Sequence, residues 1–236
     1  MVNTFTIGPK LKYINLLDNK RLGKQRLEAK AIIDILEYYD ENDEMPANTA
    51  WTNHPATMMW VGHTNALKVY FNYVLHFWEK RGFKNNYEYY DIEREDVEII
   101  KCIFEDNVAT FEKKANKDTF PIWFCFPPFY LAQRAALIMK DRDYYEEKLR
   151  TPELKPYFLK GYLWPSEHGK SIYKEWDIKY LAPMGTGIPA EYRLDKKMVK
   201  VWVENKNTNP VTGRAITESG AIYKDYKRAA TQYGYI

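Results

Sequence analysis

Four polar residues of the sequence fall where a helix should present apolar ones. In residues 16–39, LLDNKRLGKQRLEAKAIIDILEYY, apolar side chains recur at the spacing of one helix face, from Leu22 to Tyr39. The polar residues on that face or at its edge are Asp18, Arg21, Gln25 and Glu28. A carboxylate in such a place can transfer protons, and a guanidinium can bind a phosphate. Two structural interpretations stay open: Asp18 as a residue that favours the helix N-terminus, and the other three as a buried ion network.

The composition is that of a folded protein with a large core. The chain has 236 residues, of which 45% are hydrophobic and 16% aromatic, which suits one large domain or one domain with an appendage. Basic residues number 35 and acidic residues 32, so the formal net charge is +3. This small excess permits a nucleic-acid partner without requiring one.

The cysteines, the histidines and the hydropathy of the sequence indicate which compartment and which cofactors to expect. Two cysteines, Cys102 and Cys125, cannot form a disulfide framework, which favours a reducing compartment. The four histidines are scattered without the close spacing of zinc ligands, so we expect no metal ion and no other cofactor. No apolar run approaches the roughly 20 residues of a membrane span, and MVNTFTIGPK lacks the apolar centre of a signal peptide. We therefore expect an intracellular protein of the cytoplasm or nucleus that does not bind membranes.

The elements that position the four polar residues are predicted to be helices. Helical spacing recurs in residues 57–83, with Gly82 as the predicted stop, and in residues 128–149, with proline near the first turn. Residues 87–126 are less regular. After residue 150 Pro and Gly become frequent, KMVKVWVEN predicts a short alternating strand, and a turn-rich basic tail follows. The predicted fold class is mainly α, a compact helical domain with a small C-terminal β/turn-rich appendage.

Three segments, in this order, resemble one known family. They are LLDNKRLGKQRLEAKAII, NHPATMMWVGHTNALKVYFNYVLHFWEKRGF and AQRAALIMKDRDYYEEKL. Together they are similar to the pyrimidine-dimer DNA glycosylase superfamily, the endonuclease V type of DNA repair enzyme, and particularly to its poorly characterised bacterial branch. That branch also resembles the chain in the opening Asn3-Thr4-Phe5, in Arg81-Gly82 and in Tyr162-Leu163-Trp164-Pro165. The resemblance covers about residues 1 to 165 and implies a compact helical fold of the endonuclease V type.

The resemblance implies a DNA glycosylase and abasic-site lyase whose partner is damaged or abasic double-stranded DNA. In characterised members a free α-amine attacks C1′ of the damaged nucleotide, and a glutamate on the first helix transfers the protons. Glu28 matches that glutamate by its distance from Leu22, and the amine would belong to Val2 after removal of Met1, or to Met1 itself. An α-amine, with a pKa of about 8 against about 10.4 for lysine, is far more often unprotonated near neutral pH.

Further site residues are implied by the same resemblance. The expected DNA-binding residues are Thr4, Arg21, Lys24, Gln25, Arg26, His54 and Arg134. Lys24 is also an alternative nucleophile, because it lies one helical turn before Glu28. His54 has a structural alternative as a group that caps or packs a loop. The chain departs from the family pattern at Leu27, since characterised enzymes have an arginine immediately before the catalytic glutamate.

The C-terminal segment has a separate resemblance. Residues 204–226 are similar to a short element of large DNA virus proteins, which here reads Asn209 to Ile216, then Gly220 and Tyr223-Lys224. The resemblance implies a viral origin, with virion association and a viral protein partner as further expectations. The expected domains are a glycosylase-like helical domain at 1–165, a connecting segment at 166–203 and a small, separable element at 204–236.

Two choices stay open at the level of sequence. The tail cations Lys224, Lys227 and Arg228 are expected to be a solvated face, with contact to nucleic acid as the alternative. A non-catalytic DNA-binding or virion-associated protein that retains the fold is the alternative to an enzyme. A metal-dependent nuclease fits less well, because the carboxylates show no clustered spacing.

Overall fold

The protein is mainly helical. The computed structural model describes residues 6–47, 51–98, 118–125, 127–160, 194, 196–210 and 212–236. Their α-helices are α1 (Asn19–Asn42), α2 (Pro55–Met58), α3 (Thr64–Lys80), α4 (Pro127–Lys140), α5 (Arg142–Leu149), α6 (Lys155–Lys160), α7 (Lys196–Glu204) and α8 (Ala221–Gln232). Short 3₁₀ turns lie at Leu11–Leu16, Arg94–Asp96, Ile122–Cys125 and Pro152–Leu154. Across these ranges β-pairing is limited to the isolated bridges Glu98–Thr119 and Thr208–Ala215. The predicted fold class is thereby confirmed in its main part.

Helix α1 begins at a side-chain cap. The Asp18 carboxylate accepts a hydrogen bond from the Arg21 backbone N–H at 2.9 Å, which satisfies one of the free donors of the first turn. The helix ends at Asp43, whose φ of 56° is left-handed. The interpretation of Asp18 as a residue of the helix N-terminus is therefore confirmed.

Two of the predicted helices are each divided in the structure. The pattern over residues 57–83 becomes α2 and α3, separated by Gly62, which has a φ of 79°. Gly82, with a φ of 82°, follows the end of α3, so the predicted stop is confirmed. The pattern over residues 128–149 becomes α4 and α5, because the Asp141 carboxylate caps a new helix by accepting from the Tyr144 N–H.

Helices α1 and α3 pack against each other and build much of the core. The buried face of α1 has the apolar residues Leu22, Ala29, Ile32, Ile33, Ile35 and Leu36. Trp60, Tyr70 and Trp123 are fully buried, and the rings of Trp60 and Trp123 meet edge to face at 4.8 Å. Burial of such large aromatic area is a main source of the stability of this core.

A glycine allows the close approach of α1 and α3. A Cβ at Gly23 would lie 3.0 and 3.1 Å from two atoms of the Trp78 ring. Trp78 is itself held in place, since it stacks on Phe83 at 4.3 Å and its indole N–H donates to the Lys84 carbonyl. A larger residue at position 23 would therefore push apart the two helices that hold the polar residues.

The contacts divide the described residues into two units, one up to Arg134 and one from Ala135 onward. In the second unit, α7 and α8 share a small apolar core, which contains Leu194, Val199, Trp202, Tyr223, Tyr226, Ala229 and Ala230. The Trp202 ring stacks on Tyr226 at 5.6 Å and meets Tyr223 edge to face at 5.1 Å. The indole N–H of Trp202 donates to the Lys206 carbonyl, which fixes the first turn after α7.

The prediction of a strand from KMVKVWVEN is wrong, because all but the last of these residues belong to helix α7. A helix brings Val199 and Trp202, three residues apart, onto one face, where α8 covers them. The turn-rich stretch between α7 and α8 is confirmed, with the Thr208–Ala215 bridge and Gly213 at a φ of 68°. The predicted division at 166 and 204 stays a prediction. Since the apolar core of α7 and α8 joins residues on both sides of 204, we expect a division at 204 to cut through this core.

We expect the Gly23 contact to appear as a non-additive pair of substitutions. Gly23→Ala gains up to about 1 kcal/mol in helix propensity, and the crowding of Trp78 offsets that gain in the wild-type background. In a Trp78→Ala background the crowding is absent, so Gly23→Ala should stabilise by nearly the full amount. Urea unfolding of the four proteins measures the coupling, which we expect to exceed about 0.5 kcal/mol. Equal effects of Gly23→Ala in both backgrounds would contradict the packing argument.

Candidate active site

Two of the four polar residues predicted on the core side of α1, Gln25 and Glu28, are buried there. Gln25 is fully inaccessible and Glu28 is 8% exposed, although the rest of that face is apolar. A carboxylate seldom occupies such a position without hydrogen-bonding partners or a function. The change from polar to apolar along one helix face is therefore a real feature of the folded protein.

Tyr70 on α3 completes this polar group. Its hydroxyl donates a hydrogen bond to Gln25 Oε1 at 3.2 Å, and both side chains are fully buried. Burial raises the pKa of Tyr70 well above its usual value, and the negative charge of Glu28 raises it further. The rings of Trp60 and Phe124 lie against Tyr70, at 6.0 and 6.4 Å between centroids. We call Gln25, Glu28 and Tyr70 the α1–α3 polar cluster.

Arg21 lies at the beginning of α1, where it pairs with Asp18. Its Nη1 is 2.5 Å from Asp18 Oδ2, and the two side chains are 14% and 13% exposed. Asp18 thus binds the backbone N–H and the guanidinium of the same residue. The pair orients the guanidinium on the buried side of the helix, one turn before Gln25.

The two other cations of α1 occupy different surroundings. Arg26 lies over the Trp78 ring at 4.5 Å and the Tyr87 ring at 5.4 Å, and its Nη1 approaches Asn85 Oδ1 at 3.5 Å. Because Arg26 is two residues before Glu28, it points to another side of the helix. Lys24 is exposed, one turn before Glu28. Of these two, Lys24 has the better position to reach a ligand beside the polar cluster.

His54 caps a helix. Its Nδ1 accepts a hydrogen bond from the Ala56 N–H at 3.1 Å at the start of α2, and its ring lies 5.1 Å from that of Trp51. Accepting this bond requires an unprotonated Nδ1, and burial lowers the pKa of His54 below its usual value of 6.5. The capping alternative is confirmed, while contact of His54 with DNA stays a prediction.

Arg134 on α4 fixes the start of the described chain. Its Nε donates to the Ile7 carbonyl at 2.6 Å, and its guanidinium lies 5.2 Å from the Tyr13 ring and 5.2 Å from the Tyr130 ring. Next to this contact, the buried Thr6 hydroxyl donates to the Gly8 carbonyl. Arg134 therefore holds the segment that follows the N-terminal arm. Val2 and Thr4 lie outside the described residues.

The structure thus brings together only part of the predicted site. Gln25 and Glu28 share one cluster, Arg21 is paired at the start of the same helix, and Arg26 and Arg134 have aromatic neighbours of their own. Sequence reasoning missed the role of Tyr70, which lies within the helical pattern of residues 57–83. Its phenol, a polar group in an otherwise apolar stripe, was the available signal.

Two absences concern the described parts of the chain. There, no group of three or more histidine, cysteine, aspartate or glutamate side chains is arranged to hold a metal ion. No α-helix among the same residues is long and apolar enough to cross a lipid bilayer.

A buried carboxylate beside an amide and a phenol, in an interface between two helices, is typical of a site that handles protons. Residues 2–91 match the family described as pyrimidine dimer DNA glycosylase. Searches of curated proteins and of solved structures found no match to the chain. The family match confirms the resemblance for this region, which includes α1, α2 and α3 and covers less than half of the chain. It supports a DNA repair glycosylase with DNA as its substrate.

We expect Tyr70→Phe to destabilise the protein by about 1–3 kcal/mol. The substitution keeps the ring and removes the donor to a buried amide oxygen, so its cost is that of a lost buried hydrogen bond. The matched control is Tyr73→Phe on the same helix, where the tyrosine side chain is partly exposed. Urea unfolding measures both, and the control should change stability by less than about 0.5 kcal/mol. An equal effect of the two substitutions would show that the hydroxyl of Tyr70 has no special role.

The cap at His54 should make stability depend on pH. Because the folded-state pKa is lowered, the stabilising contribution is present above about pH 6.5 and is lost as the pH falls through the folded-state pKa. His54→Asn keeps a capping group that does not titrate, so its stability should fall less on acidification. His54→Ala should lose about 0.5–2 kcal/mol at neutral pH. Melting temperatures from pH 5 to 8 test this, and parallel pH profiles for wild type and His54→Asn would contradict it.

Proposed function

We propose that the protein is a DNA glycosylase and abasic-site lyase in which Glu28 transfers protons and the α-amine of Val2 is the nucleophile. The observation that carries the proposal is the position of Glu28. It is a nearly buried carboxylate in the α1–α3 polar cluster, within the region that matches the family of pyrimidine dimer DNA glycosylases. Both Val2 and Glu28 belong to that region.

The proposed reaction has two stages. The unprotonated amine attacks C1′ of the damaged nucleotide, the bond from C1′ to the base breaks, and the base leaves with the bonding electrons and acquires a proton. The sugar ring opens, C1′ and the amine nitrogen form an imine, and Glu28 assists by proton transfer to the ring oxygen. The Glu28 carboxylate then removes a proton from C2′, and the bond from C3′ to its phosphate oxygen breaks by β-elimination. Water finally releases the amine from the sugar.

The surroundings of Glu28 support this role. The hydroxyl of Tyr70 and the amide of Gln25 supply polar neighbours in an apolar interface, where a carboxylate alone would be costly. The reacting nucleotide, or its partner across the duplex, must leave the base stack, at a cost of a few kcal/mol that is lowest at a damaged base.

Four cations have proposed roles, either in contacts with DNA or in positioning the N-terminal arm. Arg21 and Lys24 lie within one or two turns of Glu28 on α1, Arg21 oriented by Asp18 and Lys24 exposed. We assign phosphate contacts to these two before Arg26, which is held by Trp78 and Tyr87. Arg134 acts by holding Ile7, and therefore the base of the arm that contains Val2 and Thr4.

A non-catalytic DNA-binding protein of the same fold is the second candidate. The observation that favours it is the pair Arg26 and Leu27. Leu27 stands where characterised enzymes have arginine and is 53% exposed, and the neighbouring Arg26 is engaged in its aromatic stack. A chain that lost this arginine function while retaining Glu28 for structural reasons would bind DNA without cleaving it. Virion association and a viral partner of the C-terminal element belong to the same candidate.

Borohydride trapping separates the two candidates. Reduction of the imine during reaction with duplex DNA that contains an abasic site would join protein and DNA covalently. Digestion and mass spectrometry then locate the adduct. We expect it on the N-terminal peptide, and an adduct on the peptide of Lys24 would replace Val2 by Lys24 as the nucleophile. Protein with an acetylated α-amine is the control, and it should bind DNA without forming the adduct. If the wild type forms no adduct, the result contradicts the lyase mechanism and supports a non-catalytic DNA-binding protein.

Glu28→Gln should abolish strand cleavage by at least about a hundredfold while DNA affinity stays within a few-fold. The amide keeps the size of the side chain and one acceptor oxygen, and it cannot take up the proton from C2′. The matched control is Glu41→Gln, an exposed carboxylate on the same helix that gives the same change of net charge. Cleavage, affinity and melting temperature are measured on the same preparations. A parallel fall of all three in Glu28→Gln would identify a structural carboxylate and contradict the catalytic role.

A further inference from the structure

Positive charge is concentrated at the C-terminus of the chain. Residues 194–236 have eight lysines and arginines and four acidic residues, a formal net charge of +4, whereas the whole chain has +3. The remaining residues are therefore close to neutral. This segment lies outside residues 2–91, so the family match does not account for its charge.

Helix α8 arranges three of these cations on one side. Lys224, Lys227 and Arg228 follow the i, i+3, i+4 spacing, and all three are exposed. The opposite side of the helix, with Tyr223, Tyr226 and Ala230 among others, is buried in the apolar core shared with α7. We call the three cations the α8 basic stripe. It lies within one helical turn, over about 6 Å along the axis.

The helix that carries the α8 basic stripe is packed against α7. Trp202 of α7 lies against Tyr223 and Tyr226 of α8, and the hydroxyl of Tyr233 donates to the Leu194 carbonyl at 3.0 Å. These contacts join the beginning of α7 to the end of α8. The backbone of the stripe is thus fixed in the folded protein, and binding through it requires only that the side chains be ordered.

Helix α7 adds cations to the same small unit. Lys196, Lys197 and Lys200 are exposed, while Val199 and Trp202 face the core. Arg214 in the turn-rich connection is exposed as well. An array of exposed cations on several elements suits an extended polyanion better than a single small anion.

We propose that residues 194–236 bind the phosphate backbone of duplex DNA through the α8 basic stripe, independently of base damage. The inference goes beyond the glycosylase activity and rests on DNA as the partner of the N-terminal region. A phosphate contact of this kind carries no sequence information and holds the protein on undamaged DNA. The stripe is poorly suited to a membrane surface, since the apolar side of α8 is buried in the protein core.

The test compares two triple variants of the full chain. Lys224→Ser/Lys227→Ser/Arg228→Ser removes the stripe. Lys80→Ser/Lys84→Ser/Arg94→Ser removes two lysines and one arginine that are exposed elsewhere, so the net charge changes equally. Fluorescence anisotropy measures affinity for an undamaged 20-base-pair duplex from 50 to 200 mM NaCl. Circular dichroism and melting temperature establish that both variants are folded.

We expect the stripe variant to lose at least about tenfold in affinity at 50 mM NaCl. The slope of log K against log salt concentration should become less steep by about 2 to 3, because each phosphate contact contributes about 0.9. The control should stay within about twofold. Lys224→Arg/Lys227→Arg, which keeps the charge, should bind like the wild type. Equal losses in the stripe and control variants, or an unchanged salt slope, would overturn the proposal.

Two further measurements distinguish this proposal from the catalytic proposal and from binding to a membrane surface. At saturating abasic DNA the stripe variant should still form the borohydride adduct if the wild type does, so a failure of the catalytic proposal leaves this one intact. Vesicles with 30% phosphatidylserine serve as a competing polyanionic surface. Binding to vesicles that depends on the stripe, without such binding to the duplex, would contradict the assignment to DNA.

Discussion

The burial of one carboxylate between two helices is the constraint on which the candidate site depends. Glu28 is nearly inaccessible on a helix face that is apolar for the rest of its length. A charge or a dipole in such a place needs polar neighbours, and Gln25 and Tyr70 supply them from α1 and α3. The two helices must therefore keep a fixed distance and register. The absence of a side chain at Gly23 lets α1 approach α3 closely at Trp78. The Asp18 cap fixes the beginning of α1, about three helical turns before Glu28.

The same constraint explains why the cations around the site differ so much. At the capped end of α1, the Asp18 carboxylate accepts from both the backbone N–H and the guanidinium of Arg21. The orientation of the Arg21 side chain therefore follows from helix formation itself. Arg26 points to another side, where it lies on the aromatic rings that close the α1–α3 contact. Two arginines that look equivalent in the sequence thus differ in the structure: Arg21 is held near the polar cluster, and Arg26 is used in packing.

Local signals in the sequence predicted most of the helices, and non-local contacts account for what they missed. The periodicity of residues 16–39 and the stop at Gly82 depend on neighbours within a few residues, and both appear in the structure. The break at Gly62 interrupts an apolar pattern that continues on both sides, so periodicity alone could not find it. In KMVKVWVEN the β-branched residues favoured a strand, but the aromatic side chains of α8 select a helix. The contacts of Tyr70 with Gln25 and of Arg134 with Ile7 join residues far apart in the sequence, and no spacing rule connects them.

The bond between Arg134 and the Ile7 carbonyl also sets the length of a tether. Val2 lies five positions before Ile7, and a fully extended chain over that span reaches about 17 Å. A group on Val2 is therefore confined to a small volume around a fixed point, whatever path the chain takes. Confinement of that size corresponds to an effective concentration on the order of tens of millimolar. In the reaction proposed above, the α-amine of Val2 needs no binding pocket of its own, and shortening or loosening the anchor would change how often the amine meets C1′ without altering its chemistry.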